Sequence, residues 1–121
     1  MELDGARARY FDLFDLVPVG YCTVSEKGLI LEANLTAADL LGEARGALIG
    51  ERFARFMASE DADFYYPQRR QLLKAGAPQA FELRLIRKGT VPFWARLEAT
   101  AAQDAGGTQL PRTSTPLRRT L

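Results

Sequence analysis

The residues that could do chemistry in this chain are few. "SEDADF" brings Glu60, Asp61 and Asp63 together, and such carboxylates could be imagined as metal ligands. They fall within one helical turn and so point in different directions. Their placement at a helix start, with Ser59 or Glu60 as the cap, explains them through the helix dipole. The lone cysteine, Cys22, reads as a small buried apolar residue, with a reactive thiol as the alternative. Trp94 between Arg84 and Arg96 could stack bases, but an outer sheet face is the simpler place for it. "RTSTP" (112–116) offers hydroxyls for phosphorylation. The sequence contains no histidine. That removes Ser-His-Asp and Cys-His catalysis, imidazole zinc sites and a haem held by a proximal histidine. No acid and base converge at a persuasive spacing, so the chain is not expected to be an enzyme, and no metal site is expected.

The elements that must position these residues fit one domain. The 121 residues are 47% hydrophobic, enough for a packed core. No apolar run is long enough to cross a bilayer, and no membrane association is expected. The N-terminus lacks a basic region followed by an apolar one, so no signal peptide is read there. A single cysteine fits a reducing compartment, and a cytoplasmic location is expected. Charge is uneven: residues 1–60 carry 6 basic and 10 acidic side chains, whereas 61–121 carry 10 basic and 5 acidic. That asymmetry could steer two copies or a partner together. No nucleic-acid motif accompanies the basic half, so nucleic acid is not an expected partner.

Residues 4–16 carry a helical pattern, with Tyr10, Leu13, Phe14 and Val17 on one side. Asp4 could cap this helix, and Pro18 and Gly20 end it. Its apolar face could pack on its own domain, form a dimer contact, or both. "YCTVS" and "LILEA" predict a hairpin closed by Glu26–Gly28. The apolar triple Leu29–Leu31 predicts that both faces of the second strand are covered. Asn34 sits at a helix N-cap, and Gly42 at the C′ position of the helix it starts. "RFARFMAS" places Phe53, Phe56 and Met57 in a core stripe. A longer helix runs from Ser59 toward Ala75, with a break or kink predicted near Tyr65–Pro67. "QAFELRLIR" and "TVPFWARLEATA" alternate with period two, with Phe81, Leu83, Val91, Phe93 and Leu97 inward, and predict an antiparallel pair. The tail from Gly106 holds two prolines and three arginines, and reads as weak strand followed by disorder.

In that order, residues 8–104 resemble a PAS domain, the sensory module of bacterial histidine kinases and diguanylate cyclases. "YFDLFDLVPVGYCTVSEKGLILEANLTAADLLG" is similar to the family's helix, "P-x-G" strand, "G-x-I-x-x-x-N" turn and helix ending "LLG". "LIGERFARFMASEDADFY" is similar to its "L-x-G-x-x-F" followed by "E-D". "FELRLIRKGTVPFWARLEA" is similar to its long hairpin. The resemblance implies an α+β fold: an antiparallel sheet of about five strands, short helices on one face, and an amphipathic N-terminal helix. It divides the chain into a helix at 1–17, a PAS core at 18–104 and an atypical tail at 105–121. The family's fifth strand is central and commonly leads to an effector through a "D-I-T" element. Here that element is absent, so a poor fifth strand is expected, with no kinase or cyclase on this chain.

Family ligands lie between the sheet and the short helices. Ala33, Ala37 and Ala38 are small there. They could leave space bounded by Cys22, Val24, Phe53, Phe56, Met57, Phe81, Leu83 and Leu97, or the same residues could pack as dry core. Without histidine, a haem would need Cys22 or Met57 as axial ligand, and a cysteinyl-adduct flavin would need a cysteine on the flanking helices. Both cofactors are disfavoured. The expected function is a sensory module in signal transduction, acting through a small ligand, dimerisation, or both. The homodimer would form through Tyr10, Leu13, Phe14, Val17 and Trp94, and a histidine kinase or cyclase on another chain would be the effector. The alternative is a ligand-free protein interaction module.

Overall fold

The first hairpin follows from its turn. β1 (Gly20–Ser25) and β2 (Ile30–Ala33) pair antiparallel across a turn in which Gly28 has φ of +87°. Only glycine holds that conformation without strain. The described residues of this computed structural model are 17–76, 78–87, 90–103 and 105–120. Residues 4–16, where the amphipathic helix and its Tyr10, Leu13 and Phe14 were expected, lie outside them.

β2 corrects one expectation. Its register against β1 shifts between Thr23 and Val24, leaving Leu31 as an extra residue. Such a bulge turns Ile30 and Ala33 toward the same face although they are three apart. Both are buried, whereas Leu31 is 40% exposed. β2 is the sheet's edge strand, so it is covered on one face only. Its free edge is closed instead by backbone: the Gly50 N–H donates to the Ile30 carbonyl and the Ile30 N–H to the Glu51 carbonyl, each at 2.8 Å.

Asn34 then opens α1 (Leu35–Leu41), which Gly42 ends in a left-handed conformation with φ of +73°. A side chain at Gly42 would also collide with Arg87. α2 (Arg45–Leu48) is one turn, and a 3-10 turn follows at Phe53–Phe56. The Ala58 N–H donates to the Arg84 carbonyl at 3.1 Å and the Ile86 N–H to the Phe56 carbonyl at 2.7 Å, joining this turn to the end of β3 (Gln79–Leu85).

α3 (Ser59–Ala75) is continuous through Pro67, against the predicted break. Pro67 is exposed, so the carbonyl it leaves unpaired one turn earlier can be met by water. Buried Tyr65, Arg69 and Leu72 anchor the helix on both sides of it. Its N-cap is Ala58, with no side-chain cap, rather than Ser59 or Glu60. Glu60 and Asp61 are engaged by Arg84 instead.

β3 pairs in register with β4 (Phe93–Gln103), from Gln79↔Ala99 to Leu85↔Phe93. The alternation is as read, except that Val91 precedes the strand and is 80% exposed. The tail is the largest correction. Residues Gln109–Arg119 form β5, the central strand in the order β2-β1-β5-β4-β3. Its prolines sit where the pairing with β4 is interrupted. Pro111 falls in the bulge where the β4 register shifts, and the β4 pairing skips from Leu97↔Leu117 to Thr100↔Ser114 around Pro116. Thr113, Thr115 and Leu117 are fully buried on the inner face, a pattern that apolar counting alone undervalues. The hydroxyls of "RTSTP" are therefore part of a middle strand rather than a loose tail.

The core lies between the inner sheet face and the helices. Leu41, Leu48, Leu72, Leu83, Leu85, Leu97 and Leu117 are all buried within it, each contributing about 1.5–3 kcal/mol of burial.

Candidate functional site

Tyr66, Arg69, Arg70, Leu73 and Lys74 recur at three- and four-residue spacing along α3, so they share one face. That face lies over the turn of the first hairpin and the start of β5. Tyr66 leans over Gly28, whose missing side chain would meet the ring at 3.5 Å. Arg69 goes deepest and is 3% exposed. Its guanidinium donates to three successive carbonyls, of Val24 at 3.1 Å, Ser25, and Glu26 at 3.2 Å. Charge-assisted bonds to backbone offset much of the cost of burying the cation. No carboxylate pairs with it among the described residues.

Around Arg69, four buried polar atoms have no well-aligned hydrogen-bond partner among the described residues: Tyr65 Oη, Arg69 Nε, Thr113 Oγ1 and Thr115 Oγ1, with the Arg69 side chain standing near the Tyr65 hydroxyl. The topology gathers them. Thr113 and Thr115 stand opposite Val24 and Cys22 in the register of β1 and β5, and Arg69 bonds to Val24. Burial pushes the Cys22 thiol up to about 12 and the Tyr65 phenol up to about 12, with the Arg69 cation pulling the phenol the other way. Both stay protonated at neutral pH, so Cys22 is no thiolate nucleophile. Ala99 and Ala101 flank the two threonines on the β4 side. The result is a polar spot between α3 and the centre of the sheet, beside small side chains.

Outward of Arg69 opens a cleft of about 830 Å³. Tyr66, Leu73 and Leu110 supply its apolar wall, and Lys27, Arg52, Arg69, Arg70 and Lys74 its charges, with Glu26 the one acid.

The ten residues read from sequence as a pocket are brought together. Cys22, Val24, Ala33, Ala37, Phe53, Phe56, Met57, Phe81, Leu83 and Leu97 all belong to one buried cluster. None of them lines the cleft. Sequence reasoning missed Tyr65, which stacks on Phe53 at 6.1 Å and meets Phe81 edge-on at 5.2 Å. It also missed Arg69, because an arginine in a helix reads as solvated. The available signal was its place between Tyr65 and Leu72, on the apolar side.

Asn34 is more than a cap. Its Oδ1 accepts from Ala37 N at 2.9 Å and from Tyr21 N at 2.8 Å, and its Nδ2 donates to the Val19 carbonyl at 2.9 Å. It ties the start of β1 to the junction of β2 and α1. Of the expected dimer contacts, Val17 is exposed and Trp94 is 51% exposed on the outer sheet face, with the Arg84 guanidinium 5.7 Å over its ring.

Residues 8–110 match the family model described as the PAS fold. The chain belongs to the PAS family. Solved PAS domains share its architecture. One from Colwellia psychrerythraea superposes with a TM-score of 0.82 at 14% identity, covering 95% of this chain and 97% of that one. A PAS domain from a two-component sensor histidine kinase gives 0.75 at 15% identity, covering 98% of each. The PAS domain of a LuxR-family transcriptional regulator from Burkholderia thailandensis, in complex with ethanol, gives 0.72 at 22% identity, covering 91% of this chain and 96% of that one. Comparison with curated proteins finds no match. In this PAS domain, no described helix is long and apolar enough to cross a membrane.

Proposed function

We propose that this PAS domain is the receiving part of a cytoplasmic bacterial signalling system, and that it takes up a small ligand between α3 and the central strand. The observation that carries this is the set of four buried polar atoms without a well-aligned partner, on Arg69, Tyr65, Thr113 and Thr115. Buried polar groups in native domains are nearly always paired, and each unpaired one raises the free energy unless a bound molecule meets it. The ligand is a small diffusible molecule. A haem held by histidine has no ligand in this sequence, and Cys22 stands on a strand rather than on the helices that would flank a flavin. Occupancy would shift α3 against β1 and β5, and the change would pass to a partner copy through residues 4–17 and Trp94. A histidine kinase or cyclase on another chain would read it.

Native mass spectrometry after gentle purification tests occupancy. A small added mass is expected, with less of it retained in Thr115→Val. A chain that arrives bare under all conditions counts against ligand binding. Light scattering at high concentration tests the homodimer, and a strict monomer would remove that part. The half-exposed Trp94 favours a second reading, a ligand-free interaction module. Trp94→Ala should then abolish partner capture, and intact capture would exclude it.

A further inference from the structure

Four arginines elsewhere among the described residues have acidic partners. Arg55 pairs with Glu51, Arg84 with Glu60 and Asp61, Arg87 with Asp39, and Arg96 with Glu82 and Glu98. The cleft beside α3 is different. Lys27, Arg52, Arg69, Arg70 and Lys74 converge on it, and none has a carboxylate within ion-pair distance among the described residues. With Glu26, the lining carries a net charge of +4 on a chain whose total is +1. Like charges brought together from three segments repel, and their clustering makes the cleft a local trap for anions.

The geometry points to a small oxyanion carrying at least two negative charges, carboxylate or phosphate, as the ligand of this cleft. Arg69 would be its fixed floor. Three carbonyls already hold the guanidinium in place, so its orientation costs little further entropy on binding. The side chain is 3% exposed, so its charge acts in a poorly screened setting. Arg70 and Lys74, one turn apart and exposed, would close on the ligand's outer charges. Leu73, Leu110 and the Tyr66 ring would take its carbon skeleton. The cleft's volume, about 830 Å³, falls in the range of small-molecule sites. The cleft lies outward of Arg69 and shares only that residue with the ligand site proposed above, so the inference adds an anionic site beside it.

Calorimetric titration of the whole chain at low ionic strength tests it. The probes are citrate, for the carboxylate source, and pyrophosphate, for the phosphate source, with glycerol as the neutral control. At least one anion should bind and glycerol should not, and the preferred anion names the source. Arg70→Gln and Lys74→Gln should each weaken binding by about tenfold, and added salt should weaken it further. Both positions are exposed, so both variants should fold. Arg96→Gln, on the outer sheet face, should bind like the parent. If neither anion binds, or binding ignores Arg70 and Lys74, the inference is wrong. Should a neutral molecule be retained in native mass spectra in that case, the receiving role survives without it. Should the chain also be bare, both fall. Binding of heparin alone would replace the small ligand with a polyanionic macromolecule and overturn the inference.

Discussion

The two ends of α3 solve the same problem in opposite ways. At the N-terminal end, Asp61 and Glu60 meet Arg84 of β3. Asp61 accepts from the Arg84 backbone N–H at 2.6 Å and from Nε at 3.1 Å, and Glu60 accepts from Nη2 at 3.0 Å. Charge meets charge, and the carboxylates also suit the helix dipole. At the C-terminal end, Arg69 is buried against carbonyls, with Arg70 and Lys74 left over an open cleft. One end of the helix is electrostatically closed and the other is open. Lys74 in the last turn suits the C-terminal end of the dipole, and its charge and that of Arg70 are left facing the cleft.

Substitutions at each end test this contrast. The largest effect is expected from Arg69→Met. It removes three hydrogen bonds that join α3 to the β1–β2 turn, and should lower the unfolding free energy by about 3 kcal/mol in urea denaturation. A loss below about 1 kcal/mol would mean that Arg69 is not the fastening of the open end. Asn34→Ala provides a scale from outside both ends. Losing the cap and stranding the Tyr21 N–H should cost about 2 kcal/mol, seen as an earlier denaturation midpoint.

Asp61→Asn probes the closed end, and about 1 kcal/mol or less is expected there. Its carboxyl is held below the usual range, chiefly by the hydrogen bond from Arg84. The lowered group stabilises the fold fully above its unfolded pKa, near 3.8, and that contribution disappears as pH falls through the lower folded value. The variant should therefore lose stability at neutral pH and show a shallower acid limb. An acid limb identical to the parent's would contradict the pairing. The smallest effect belongs to Arg70→Gln without ligand. Relief of repulsion should raise stability by a few tenths of a kcal/mol at low salt and by nothing at high salt. A loss at low salt would show that the open end is compensated after all.

Much of the fold was legible in the sequence because it depends on short-range regularities. Period-two alternation located β3 and β4, Gly28 located the hairpin turn, and Asn34 with Gly42 bracketed α1. The failures lie where neighbours decide. Leu31 reads as buried until a bulge turns it outward. Pro67 reads as a break until exposure makes its missing bond tolerable. Residues 109–119 read as a loose tail because their apolar content is low. Between β1 and β4, backbone pairing on both sides makes them the centre of the sheet.

The site divides along the same line. The sequence by itself determined the family, the hairpins, the cap at Asn34 and the apolar set around Cys22, because these follow from residue type and spacing along the chain. It also determined that the charges are unevenly spread. Only the tertiary structure decided that Lys27 and Arg52 meet Arg69, Arg70 and Lys74, and that Arg69 reaches the carbonyls of Val24, Ser25 and Glu26. Charge and unpaired hydroxyls act through space, and no local pattern records which distant residue will stand opposite them.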